Sequence, residues 1–216
     1  MSTDKLDLAD WRRRVAEIYA AVRASAYPEA AWHLWRAERD ALLKKHPQSP
    51  LPPEERADFD GLPYFDYDAA FRFEAELEPL PGGTVSTTDL GADGIISMAS
   101  CGRTTNLTGP LGGELTVYWI AGYGGGLFLP FSDSTAGANT FGGGRYLLDS
   151  IKAADLGMVG GKLILDFNFA YNPSCSYSAA WSCPLAPPEN HLPTPIRAGE
   201  LAVRLPVGAA PVFAEC

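Results

Sequence analysis

Long apolar runs are missing from this chain. No stretch approaches the roughly 18 uncharged apolar residues needed to cross a bilayer, and Met1 to Trp11 carry four charged side chains, which predicts no signal peptide. Cysteine is scarce: Cys101, Cys175, Cys183 and Cys216 include no CxxC pair, which excludes a zinc ribbon. With three histidines and neither HExxH nor GxSxG, zincins and α/β-hydrolases are excluded as well. Gly122-Tyr123-Gly124-Gly125-Gly126 runs into Leu127 and fails the dinucleotide fingerprint at its third glycine. Gly142-Gly143-Gly144 is followed by Arg145, not by Lys-Ser/Thr, so it is no Walker phosphate loop. Basic residues are outnumbered, 17 against 26, for a net charge of −9. That balance disfavours nucleic acid and anionic membranes as partners.

What is present is globular. At 216 residues, 46% hydrophobic, 20% charged and 11% aromatic, the chain can bury roughly 70% of its unfolded surface without a metal or disulfide staple. Glycine is almost confined to one part of it: Gly61 alone lies within residues 1–80, and the other 21 follow. The first part reads as helical. Leu8, Trp11, Val15, Ile18, Tyr19 and Val22 recur at steps of three and four, with Ser2 or Thr3 available as a cap. A second helix begins at Pro28, carries Trp32, Trp35, Leu42 and Leu43, and ends in Lys44, Lys45 and His46. Helical spacing makes the tryptophans a packing face rather than a ligand cage.

Residues 47–70 form a proline-rich strap, expected to pack over a sheet. From Phe71 the period changes to two: Phe71, Phe73, Ala75 and Leu77 alternate with charged residues, as in a half-buried strand. Further strands are predicted at 94–99, 114–120 (Leu115, Val117 and Trp119 on one face), 126–131, 144–148, 162–167 and 200–205. Turn-forming clusters separate them at short spacing, and no βαβ alternation appears. The predicted fold is α+β: a mainly antiparallel barrel or sandwich-like curled sheet with an N-terminal helical hairpin. The corresponding divisions are 1–46, 47–70 and 71–216, in a single globular unit.

Three stretches are dense in candidate site residues. Phe131 to Leu147 contains Asp133 and the GGGRY turn, where Arg145 offers a planar fork for a carboxylate or phosphate; the alternative pairs it internally with Asp133 or Asp149. Leu165 to Pro173 places Asp166, Asn168, Tyr171 and Asn172 at a strand end, where Asx side chains either face a ligand or bond loop backbone. In the third, Cys175, Cys183 and His191 stand eight residues apart. This spacing gives no compact chelating turn, and a fourth ligand is not evident. A Cys–His nucleophile pair and packing as small hydrophobes remain open for these thiols. No metal and no cofactor are expected. In a cytoplasmic, reducing setting Cys175 and Cys183 are expected as free thiols.

The same stretches resemble an uncharacterised bacterial and archaeal family, domain of unknown function 1684, from about Trp35 to Glu200. Its marks here are Ser49-Pro50-Leu51, Gly61-Leu62, Tyr64-Phe65, Phe131 with Asp133 and Thr135, and Gly143-Gly144-Arg145-Tyr146-Leu147. They continue through Asp166-Phe167-Asn168, Ala170-Tyr171-Asn172-Pro173 with Cys175 and Tyr177, Cys183-Pro184-Leu185, Pro188-Glu189-Asn190 and Ala198-Gly199-Glu200. The resemblance carries no reaction. It implies Arg where this chain has His191, which weighs against metal and Cys–His roles.

Two readings follow. In the first, a small-molecule pocket forms from the GGGRY, DFN and YNPSC segments, with Asp133, Arg145, Tyr146, Asn168, Tyr171, Asn172 and Tyr177 holding a small acidic or carbonyl-bearing metabolite. Asp166 and Cys175 are then the catalytic candidates. In the second, the protein is a non-catalytic binding module or scaffold, and the same residues hold its loops together.

Overall fold

A computed structural model describes residues 3–91 and 94–203. Cys216 and Ser2 lie outside them. Helix α1 spans Thr3–Ala24 and α2 spans Pro28–Lys45. Both follow the predicted periodicity. Pro28 and Glu29 occupy the first turn of α2, Lys44 and Lys45 the last, and the His46 amide closes the end on the Leu42 carbonyl, arrangements that suit the helix dipole. The helices pack on each other, and Trp32 and Trp35 face inward against Tyr64, Ala154 and Phe169.

The β strands are β1 (Arg72–Ala75), β2 (Leu77–Pro79), β3 (Val85–Asp89), β4 (Ile95–Thr104), β5 (Thr116–Ile120), β6 (Gly126–Asp133), β7 (Arg145–Asp149), β8 (Met158–Val159), β9 (Lys162–Asp166) and β10 (His191–Leu192). A short helix, α3 (Thr108–Leu111), joins β4 to β5. One sheet has the order β1-β9-β8. The other runs β10-β6-β5-β4-β2, with β3 added on β4 and β7 on β6. Pairing is antiparallel except for β10 on β6. The architecture is therefore mixed α+β, with a helical pair and an antiparallel-rich multistranded sheet. No closed barrel is found among the described strands. Leu115, Val117, Leu129, Phe131, Leu147 and Leu148 from the larger sheet share one core with Ala75, Leu163 and Leu165 from the smaller.

Several local expectations are corrected. The alternation over Phe71–Leu77 is not one strand: the chain changes sheets at Glu76, so Ala75 is buried and Leu77 is exposed. The Asn106 amide bridges the change, accepting from the Glu76 N–H at 3.0 Å and donating to the Glu74 carbonyl at 2.9 Å. Leu115, just before β5, and Val117 on it face the core, but Trp119 lies out near the end of the strand. The strap packs first on α2, where Leu51 and Leu62 meet Leu43 and Tyr177, and reaches the sheet only at its end, where Asp68 pairs with Asn168 after β9. No strand forms at 200–203: Glu200 makes a single bridge to Tyr64, and residues 204 and 205 lie outside the described residues. No described helix is long and apolar enough to cross a membrane.

Candidate functional site

The nine predicted site residues sort into separate internal clusters. Arg145 begins β7, opposite Phe131 on β6. Its guanidinium is only 1% exposed and donates to Asp133 Oδ2 at 2.8 Å, to the Ile196 carbonyl at 3.1 Å and to the Ala198 carbonyl. Asp133 Oδ1 accepts from the Thr135 and Ile196 amides at 2.9 and 3.1 Å. Burial pulls the Arg145 pKa down, and the Asp133 carboxylate opposes this. Of the two internal partners open in the sequence, the structure selects Asp133. The expectation that Arg145 faces a cavity is corrected, because its fork is occupied by a carboxylate and two carbonyls.

Asp166 ends β9 and caps the one-turn helix at Phe167–Phe169. Its Oδ1 accepts from the Asn168 backbone and side-chain N–H groups at 3.0 and 2.8 Å, and its Oδ2 from Arg72 at 3.2 Å. Burial pushes the Asp166 carboxyl up, with Asn168 and Arg72 acting against it. Asn168 in turn pairs both ways with the Asp68 backbone, at 2.9 and 2.8 Å, and its carbonyl receives the Trp32 indole N–H at 2.8 Å. The residue therefore joins the end of β9 and the strap through its side chain and α2 through its backbone.

Asn172 and Tyr177 belong to a third cluster, built around the fully buried Glu200. The Asn172 amide groups and the Tyr177 hydroxyl donate to its carboxylate, and Arg39 of α2 pairs with it at 2.9 Å. Arg39 also donates to the hydroxyls of Tyr64 and Tyr177, at 2.6 and 2.8 Å.

Glycines make two of these placements possible. Gly144 and Gly199 hold φ of +87° and +81°, and a Cβ at either would meet backbone oxygens at 2.6–2.7 Å. Each therefore lets a charged successor, Arg145 or Glu200, enter the interior.

Tyr146 and Tyr171 exchange backbone hydrogen bonds, and their rings meet edge to face at 5.8 Å. The Tyr146 hydroxyl donates to the Pro184 carbonyl at 2.7 Å, which anchors the loop holding Cys183. Cys175 and Cys183 are free and half-buried. The Cys175 amide donates to Cys183 Sγ at 3.3 Å. The Cys183 pKa is lowered to about 7, with the neighbouring Cys175 thiol as the leading cause and the Cys175 amide, Lys152 and Tyr146 adding to it. Cys183 in turn, with burial, pushes Cys175 up. His191 stays out of this group: its Nδ1 meets Ser132 Oγ at 3.1 Å where β10 lies on β6.

Asp133 thus bonds with Arg145, Asp166 with Asn168, and Tyr171 packs on Tyr146, in separate clusters. Two surface clefts occur elsewhere. One, of about 650 Å³, lies between α1 and α2 and is lined by Asp10, Arg14, Leu42 and His46 among others. The second, of about 260 Å³, is bordered by Arg103, Tyr118 and Glu189. None of the nine residues lines either cleft. Among the described residues, no group of three or more His, Cys, Asp or Glu side chains is placed to hold a metal ion.

Sequence reasoning gave no role to Arg39, Glu200 or Asn190. The Asn190 side chain accepts from the Thr116 amide at 2.7 Å and donates to the Thr116 and Pro130 carbonyls at 2.9 and 2.7 Å, standing in for a strand partner between β5 and β6. The family marks Pro188-Glu189-Asn190 and Ala198-Gly199-Glu200 were the available signal for Asn190 and Glu200.

Comparison with known proteins agrees with these marks. The family described as "Protein of unknown function (DUF1684)" matches residues 57–201, beginning in the strap and so after both helices. Among solved structures, the chain is similar to the solution NMR structure of an uncharacterised protein of Haloarcula marismortui. The two are 36% identical with a TM-score of 0.56, over 80% of this chain and 93% of that one. No curated protein matches.

Proposed function

The chain belongs to the DUF1684 family of unknown function, and from that premise we propose that it is a non-catalytic binding or scaffold protein whose GGGRY, DFN and YNPSC segments are structural. One observation carries this reading: the polar groups best suited to a ligand are turned inward and already bonded. Arg145 serves Asp133 and two carbonyls, and Asp166 serves Asn168 and Arg72. An anion at Arg145 must displace a buried carboxylate, which leaves an uncompensated charge in the core. The shared core of the two sheets supports a sandwich-like arrangement, in which the buried polar residues clasp sheets, strap and helices together. A cytoplasmic setting belongs to the same proposal, as does the absence of nucleic-acid and membrane partners.

A thermal-shift screen of small acidic and carbonyl-bearing metabolites, with turnover assays on every hit, tests it. The scaffold reading expects no metabolite to be converted. It also expects Arg145→Lys and Asp166→Asn to lower Tm without altering any metabolite shift that appears at another surface. A converted metabolite whose turnover disappears in Asp166→Asn or Cys175→Ser, with Tm intact, overturns it in favour of a small-molecule enzyme.

A further inference from the structure

Cys175 and Cys183 are the nucleophilic groups that the structural clasps leave unused. They sit on one loop, separated by seven residues, and both are half-buried rather than sealed in the core. The Cys183 sulfur accepts from the Cys175 amide at 3.3 Å, and the Lys152 charge adds to holding its pKa down. Such surroundings favour a thiolate, the form that reacts with oxidants and disulfides. Cys175 lies beside it, with its backbone amide on the Cys183 sulfur, and its own thiol is pushed up rather than down.

We propose that Cys175 and Cys183 form a reversible dithiol–disulfide couple, in which Cys183 reacts first with a hydroperoxide and Cys175 resolves the product. In the first step the Cys183 thiolate attacks the terminal peroxide oxygen and the O–O bond breaks. Cys183 becomes a sulfenic acid, and the departing hydroxide takes up the released thiol proton as water. In the second step the Cys175 sulfur attacks the Cys183 sulfur, the S–O bond breaks, and a second water leaves as Cys175 gives up its proton. With hydrogen peroxide, two thiols lose two electrons and two protons, and one peroxide becomes two waters. Exchange with two external thiols reverses the change. The backbone of Cys175 already touches the Cys183 sulfur, and the bridge needs the two sulfurs to close to about 2 Å. The loop between them is free to follow: Ser178 to Ser182 contains no strand or helix, and Ala179, Ala180 and Ser182 are exposed. The bridge closes this loop beside Pro184, where Tyr146 holds it.

Mass spectrometry of the full chain tests the couple directly, because both cysteines fall on one tryptic peptide, residues 163–197. After treatment with a small excess of hydrogen peroxide and then alkylation, that peptide is expected to lose two hydrogens and to take up no alkylating agent. Dithiothreitol should restore both sites. Cys175→Ser should accumulate a sulfenic acid at Cys183, trapped with dimedone, whereas Cys183→Ser should oxidise at Cys175 at least about tenfold more slowly. Circular dichroism of both serine variants verifies that they are folded. Persistence of two alkylatable thiols in the wild-type peptide, at a peroxide dose that fully oxidises glutathione, overturns the couple. So does preferential bridging to Cys101 or Cys216. Equal oxidation rates in the two variants overturn the assignment of Cys183 as the first reactant.

Discussion

Arg145 and Asp133 meet in a place water does not reach, each about 1% exposed. Removing one partner strands the other, so Arg145→Met is expected to destabilise the fold by about 3–5 kcal/mol, read from guanidinium unfolding. The sequence identified both residues as special and offered their pairing as one alternative. It could not show that the carbonyls of Ile196 and Ala198 complete the set, because those contacts span more than 50 residues. Glu114 presents a different case. Partial burial pushes its carboxyl up, but donors from Thr104, Leu107 and Thr108 outweigh this and hold it below its ordinary value. A carboxylate with a lowered folded pKa adds stability above its unfolded pKa and loses it as pH falls through the folded one. Glu114→Gln should therefore lower Tm at pH 7, and the gap to wild type should narrow steadily on acidification through the carboxylate range. A gap independent of pH would contradict the assignment.

At the scale of elements, α2 is the connector. Its Trp35 is 1% exposed and lies against Tyr64 and Phe169, while Trp32 reaches the Asn168 carbonyl. Trp35→Ala should cost about 3–5 kcal/mol through the cavity it leaves, measured by denaturant midpoint at unchanged slope. Helix α2 was legible almost to the residue, because a 3.6-residue period with Pro at the start and Lys at the end is a local signal, and α1 was legible by its period alone. Strands β4, β5, β6, β7 and β9 were legible as short runs bounded by turn-forming clusters. The sheet change at Glu76 was not: the alternating pattern continues across it, and only the distant Asn106 amide marks the break. The two-residue strands β8 and β10 were also invisible, since a period of two has no meaning over so short a run. The candidate site was legible as a set of unusual residues. Its division into inward-turned clusters depends on tertiary partners that periodicity does not encode.

For the whole molecule, the clasps link every layer. Arg39 and Trp32 tie the helices to Glu200 and Asn168, and Asn168 ties the strap to β9. Melting the helical pair alone would expose Glu200 and the aromatic face together. Unfolding followed by tryptophan fluorescence and by far-UV circular dichroism should therefore give coincident transitions. An early loss of helical signal, with the sheet intact, would show that the clasps do not couple the layers.

The segment from Ile196 to Ala202 is the thread that all these parts share. It meets Asp133, Arg145, Tyr64, Asn172, Pro63 and Asn139 in succession. On a ribosome this thread appears late. Trp35 and Glu200 are 165 positions apart, which at about 5–20 residues per second is a wait of roughly 8 to 33 s. During that interval the nascent helices carry an uncovered tryptophan face and an Arg39 without its carboxylate. The last residues to leave the ribosome are thus the ones that lock the first-made helices in place.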